Sequence, residues 1–181
     1  MFSYSLDEHT TLAPIEPWQA PAFLAQVEAG RGYLGKFLNW PATIVDEASA
    51  RAWLQVYADG YADDTRRIIG IWDTSGELLG GVVLLKMDHQ LGKVEMGVWL
   101  VPHASGRGLA TRTCAYALDW AFGARGLHRV EWQVDPENAA SRAVAARLGM
   151  VCEGRFRDSY RLGGEYRDTE LWAILATDWP R

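Results

Sequence analysis

The period of apolar positions changes from helical to strand-like about a third of the way along this 181-residue chain. A weak strand pattern at Thr11 to Ile15, interrupted by Pro14 and closed by Pro17, comes first. Helical spacing follows over Trp18 to Glu28 and again briefly over Tyr33 to Leu38, where Pro41 ends it. Asp46 to Ala58 repeats Ala50, Trp53, Leu54 and Tyr57 on one stripe, with acidic residues at the start, where the helix dipole favours them. Strands then take over: Arg66 to Trp72, a turn at Asp73 to Gly76, Leu78 to Met87, and Lys93 to Val101. In the last of these Val94, Met96, Val98 and Leu100 share one face, and Glu95, Gly97 and Trp99 the other. Gly108 to Phe122 reads as a helix, Arg129 to Val134 as a strand and Asn138 to Leu148 as a helix. Val151 to Leu162 and Glu165 to Ala176 form a hairpin around Gly163-Gly164. Mixed strands and helices with a strand–helix–strand crossover predict an α/β or α+β layered fold.

Composition narrows this to one domain, 1–181, with neither an internal repeat nor a long linker. Apolar residues make up 49% of the chain, enough for a substantial core, yet no run approaches the roughly 18–20 residues of a membrane span. The first residues lack the basic-then-apolar order of a secretory signal. A net charge of −5 argues against a nucleic-acid partner, which needs a basic field, and suits a cationic substrate. Cys114 and Cys152 have no CxxC partner for metal or redox work, so both are expected to be buried structural thiols in a reducing cytoplasm. Most of the nine tryptophans are expected in the core.

The most informative stretch is Val98-Trp99-Leu100-Val101-Pro102-His103-Ala104-Ser105-Gly106-Arg107-Gly108-Leu109-Ala110-Thr111. A strand runs into a glycine-bearing loop that opens an alanine-rich helix. Glycines let backbone N–H groups converge, and a helix N-terminus adds partial positive charge, so the stretch is a candidate anion cradle. Arg107 and Arg112 are expected where they could reach phosphate oxygens. The third glycine of a dinucleotide fingerprint and the GK[ST] of a nucleotide P-loop are both missing.

These residues resemble the GNAT superfamily of N-acetyltransferases, most closely its RimJ/RimL-like branch. The loop of that family reads [Q/R]-x-x-G-x-[G/A]; here Gly108 and Ala110 match, and Ser105 replaces the leading Gln or Arg. Asp135 to Ser141 with Arg147 to Met150, the hairpin Gly163 to Asp168, and Leu34 to Pro41 are similar to three further segments of the branch. The resemblance implies a twisted, seven-stranded mixed sheet whose fourth and fifth strands, near Val94 to Val101 and Arg129 to Val134, splay apart. It implies acetyl-CoA as donor, with its pantetheine arm on the backbone of Val98, Trp99 and Leu100 and its pyrophosphate on Gly106, Arg107, Gly108, Leu109, Ala110 and Thr111.

Acetyl transfer to an amine needs a neutral nucleophile, donors for the oxyanion and stabilisation of the departing thiolate. Many superfamily members supply the acid as a tyrosine where this chain has Ala145. Ser141 is the substitute: with Val144, Ala145 and Leu148 it lies at i, i+3, i+4 and i+7, a lone hydroxyl on an apolar face. The branch places this serine near the cofactor sulfur; the alternative is a first-turn residue bonded to backbone. Asn138 either contacts a pantetheine amide, as in the family, or caps the helix, a position for which Asp135-Pro136 competes. Glu95 is the candidate base, with Glu131 on the next strand, or water alone, as alternatives. His103 and His128 read as surface residues, and Arg155, Arg157, Arg161 and Arg167 as a solvated face. No metal site is expected. The expected activity is acetylation of a primary amine, either the α-amine of a peptide or protein N-terminus or that of an amino-acid-like small molecule, by a monomer or homodimer. The alternatives are an antibiotic- or metabolite-modifying enzyme and a non-catalytic acyl-CoA sensor.

Overall fold

The computed structural model describes residues 3–180. Its eight strands form one sheet in the order β1-β2-β3-β4-β5-β6-β8-β7. The strands are β1 (Tyr4–Asp7), β2 (Thr10–Pro14), β3 (Arg67–Asp73), β4 (Leu78–Asp88), β5 (Lys93–Leu100), β6 (Arg129–Val134), β7 (Val151–Leu162) and β8 (Glu165–Leu175). The helices are α1 (Ala20–Leu34), α2 (Glu47–Ala62), α3 (Leu109–Asp119) and α4 (Ala139–Arg147). Neighbouring strands pair antiparallel except β5 and β6, which run parallel and are joined through α3.

The eighth strand, one more than the expected seven, is β1. It is short and mostly exposed, so its own sequence carries little signal. Contacts from far along the chain hold it: Tyr4 stacks on Tyr116 with centroids 4.2 Å apart, and Arg112 donates to Asp7 Oδ2 at 2.6 Å. The two expected early helices are one. Helix α1 continues through Gly30, where an added Cβ would lie 3.2 Å from Leu34 and 3.8 Å from Val101. The glycine there serves close packing and does not end the helix.

The two faces of the sheet build separate cores. On one, Val94 and Met96 of β5 and Val130 and Trp132 of β6 pack with Cys114, Ala117 and Leu118 of α3 and Val144 and Ala145 of α4. On the other, Trp99 of β5 packs with Phe23 of α1 and Leu54 and Tyr57 of α2. Trp40 and Trp53 complete this aromatic group, with Phe23–Trp53 centroids 4.9 Å apart and Trp40–Trp53 5.1 Å. Gly80 and Gly81 of β4 make room for Trp99: an added Cβ would fall 2.2 Å from its carbonyl oxygen and 2.4 Å from its ring, respectively. Eight of the nine tryptophans are buried or half-buried, as expected, and Trp18 is exposed. Cys114 is buried, and burial pushes its thiol up. Cys152 departs from expectation. It is exposed, because β7 is the last strand of the sheet and is exposed along most of its length.

Candidate active site

The site begins where β5 and β6 separate. Their pairing covers only Lys93 to Glu95 against Arg129 to Glu131. Beyond Glu95 and Glu131 the strands diverge, while β5 stays paired to β4 and β6 to β8. The β6-facing edge of Val98 to Leu100 therefore borders a gap in the sheet, and backbone polar groups along such an edge need partners.

At the end of β5 the chain turns through Pro102–Ala104 into the glycine loop. Gly106 and Gly108 have φ of +77° and +73°, in the left-handed region that favours glycine. Gly108 is the residue before α3, and the first helical bond runs from Arg112 N to Gly108 O at 3.1 Å. The amides of Leu109, Ala110 and Thr111 precede that bond, so they lack intrahelical acceptors. Nothing lies within 4 Å of a Cβ added at Gly106 or Gly108, so the loop opens onto free space. Arg107 is exposed, whereas Arg112 is engaged by Asp7, whose carboxyl it holds down at about 2. His103 is exposed and lies 3.2 Å from Glu77, and His128 is exposed, both as expected.

Strand alternation puts the candidate base and acid on opposite faces. Glu95 shares its face with Trp99, on the α1/α2 side, and stands beside Glu131 in the last β5–β6 pair. Its Oε2 accepts from Lys86 Nζ at 2.8 Å and from Gln133 Nε2 at 3.2 Å. Glu131 is held differently: its Oε1 accepts from Arg129 Nε at 2.8 Å, and Arg129 also pairs with Glu153. Those carboxylates, Glu153 first, push the Arg129 guanidinium up. Both carboxylates are thus ion-paired, Glu95 with Lys86 and Glu131 with Arg129, each at 2.8 Å.

Ser141 lies on the other face, near the start of α4. Its Oγ accepts from Trp132 Nε1 at 3.0 Å. Its backbone N–H donates to Asn138 Oδ1 at 3.1 Å, which makes Asn138 the cap of α4. The cap uses the carbonyl end of the carboxamide, so a ligand contact through its Nδ2 remains compatible. Asp135 does not compete for that position. It is 7% exposed, and it accepts from Glu137 N at 2.7 Å, from Arg167 Nη1 at 3.0 Å and from the Tyr160 hydroxyl. Burial works against the charge of Asp135, but these three bonds outweigh it and hold the carboxyl below its usual value. Burial and then Asp135 push the Tyr160 phenol up.

The loop, the gap and the flanking helices accord with one more observation: a family model described as an acetyltransferase (GNAT) domain matches residues 9–151. The chain belongs to this family.

GNAT enzymes use acetyl-CoA, so this protein is an acetyl-CoA-dependent N-acetyltransferase. Over 184 residues it is 28% identical to the Bacillus subtilis protein named "Putative ribosomal N-acetyltransferase YdaF", covering 99% of this chain and 98% of that one. It is 24% identical to the spermidine N(1)-acetyltransferase of Vibrio cholerae over 84% of this chain and 86% of that one. Among solved structures, Mycobacterium smegmatis RimJ in complex with CoA-disulfide superimposes with a TM-score of 0.86 at 26% identity, covering 100% of this chain and 93% of that one.

The residues present fit the donor. The open, left-handed glycine loop and the three leading helix amides suit a pyrophosphate, and the unpaired edge of β5 suits an amide-bearing arm. Sequence reasoning missed three side chains that contact the candidate residues, Lys86 and Gln133 on Glu95 and Trp132 on Ser141, and it read Asp135 as a cap competitor where the structure has it joining β6 to the last hairpin. Arg167 is accordingly not part of a solvated face, whereas Arg155, Arg157 and Arg161 are exposed. Alternation along β6 was the available signal for Trp132, since Trp132 shares a face with the apolar Val130 and Val134.

Proposed function

We propose that the protein acetylates an α-amine, at a peptide or protein N-terminus or on an amino-acid-like small molecule, in the cytoplasm, where its two free thiols stay reduced. What supports this is Glu95 on the α1/α2 face, where the β5–β6 pairing ends, and Ser141 on the opposite face, held against Trp132 of β6. Donor and acceptor would then meet within the gap. The amine arrives from the Glu95 face, and the thiol departs toward Ser141.

In this reading the loop amides at 109–111 and the edge of β5 at Val98 to Leu100 bind and orient the donor. Glu95 takes the ammonium proton, directly or through one water, and its charge also attracts the cation. The Ser141 hydroxyl donates a hydrogen bond to the departing sulfur. A serine hydroxyl is too weak an acid to give up its proton outright.

A polyamine acceptor is the second reading. The neighbouring carboxylates Glu95 and Glu131 favour it, because they would suit an acceptor with more than one positive charge. Thiol release from acetyl-CoA, measured with peptides of varied first residue, amino-acid amides and polyamines, tests both. We expect the highest kcat/KM with α-amines. Selectivity for a polyamine would replace the first reading with the second, and absence of thiol release with every amine would refute both.

A further inference from the structure

The Ser141 hydroxyl carries one hydrogen, and the structure determines where that hydrogen does not point. Trp132 Nε1 stands 3.0 Å from Ser141 Oγ. An indole N–H donates and never accepts, so Oγ is the acceptor and its own O–H is directed away from the indole. The serine is also fixed from behind, by the bond from its N–H to Asn138 Oδ1 at 3.1 Å.

Trp132 has little freedom to move. It is 2% exposed, belongs to the core shared with α3 and α4, and is paired in β6 opposite Trp172 of β8. It also follows Glu131 directly, the last β6 residue paired with β5. The indole thus spans from the rim of the gap to the start of α4.

We propose that Trp132 is a positioning residue for thiol departure: its N–H occupies a lone pair of Ser141 Oγ and so turns the Ser141 O–H toward the sulfur in the gap. This rests on the role given to Ser141 above. The neutral amine nitrogen attacks the thioester carbonyl carbon and forms the C–N bond. The C–S bond breaks, with its electron pair leaving on sulfur. Glu95 has taken the proton of the incoming ammonium before attack; the second proton, which attack leaves on nitrogen, passes through solvent to the thiolate, held by the Ser141 O–H until then. Accepting a hydrogen bond also polarises the serine O–H and makes it a stronger donor to developing negative charge. The competing account is that Ser141 is there only to satisfy a buried indole.

A double-mutant cycle separates the two. Trp132→Phe, Ser141→Ala and the double variant are compared by single-turnover acetyl transfer, acetyl-CoA KM and thermal unfolding. We expect Trp132→Phe to slow transfer by about threefold to tenfold, the value of one hydrogen bond, with KM changed less than about twofold. In the Ser141→Ala background it should cause no further loss of rate. Should Trp132→Phe not fold, site-specific benzothienylalanine at position 132, with sulfur in place of the N–H, carries the same test. A wild-type transfer rate with a lowered melting temperature in Trp132→Phe, beside a slowed Ser141→Ala, overturns this proposal alone. So does a loss that persists undiminished in the Ser141→Ala background. A wild-type rate in Ser141→Ala overturns both the proposal and the role of Ser141.

Discussion

Replacing Gly108 by valine tests the donor site, and the structure separates its two effects. Gly108 has φ of +73°, a conformation that costs a non-glycine residue about 1–3 kcal/mol, with β-branched residues at the upper end. For a chain of this size that lowers the melting temperature by roughly 2–12 °C. An added Cβ has no atom within 4 Å apart from its chain neighbours, so backbone strain is the folding cost to expect. Binding is a different matter. If the amides of residues 109–111 hold the pyrophosphate, as proposed, an isopropyl group at the residue before them should crowd its oxygens. Losing one charge-assisted hydrogen bond costs about 1.5–3 kcal/mol, so the acetyl-CoA Kd should rise at least about tenfold, the equivalent of about 1.4 kcal/mol. Gly126 provides the control. Its φ is +63°, it also has nothing within 4 Å, and it lies beyond the other end of α3. Gly126→Val should therefore match the loss of melting temperature and leave acetyl-CoA affinity within about twofold of wild type. Titration calorimetry and thermal unfolding on the three proteins decide the matter. If Gly108→Val binds acetyl-CoA like wild type with its fold intact, or if both variants lose affinity equally, the loop is not the pyrophosphate cradle.

Transfer should accelerate with rising pH as the acceptor amine loses its proton, and Glu95→Gln should lower kcat more than it alters acetyl-CoA binding. A Glu95→Gln variant with the wild-type pH–rate profile would leave Glu95 a steering role only. Ser141→Ala should reduce kcat by roughly tenfold to a hundredfold, near the low end for a positioned donor. It should also destabilise the fold by about 1–3 kcal/mol, because Trp132 Nε1 loses its acceptor; an unchanged melting temperature would contradict that bond. The depressed carboxyl of Asp135 stabilises the fold fully above the unfolded carboxylate value near about 4, and that stabilisation is lost as pH falls through the lower folded value. Asp135→Asn should melt lower at neutral pH and show a flatter acid limb below about pH 4; parallel limbs would exclude this role.

The sequence by itself determined what short-range pattern encodes. Alternation along Lys93 to Leu100 assigned Glu95 and Trp99 to one face and Val94 and Met96 to the other. The spacing of Ser141, Val144, Ala145 and Leu148 turned the serine inward, and Gly106 and Gly108 marked a loop able to turn its amides outward. Each of these follows from the two-residue period of a strand, the 3.6-residue period of a helix or the backbone freedom of glycine, and all three operate within a few residues. Only the tertiary structure decided what depends on partners distant in the chain. It held β1 through Tyr116 and Arg112, placed Asp135 between Tyr160 and Arg167 rather than at the start of α4, and left Cys152 exposed on the outermost strand. It also stopped the β5–β6 ladder after a single short stretch, at Glu95 and Glu131, and brought Ser141 against Trp132 of β6 on the opposite face. A local pattern fixes which way a side chain points. Which group it meets there depends on how strands distant in sequence are brought side by side and where their pairing ends.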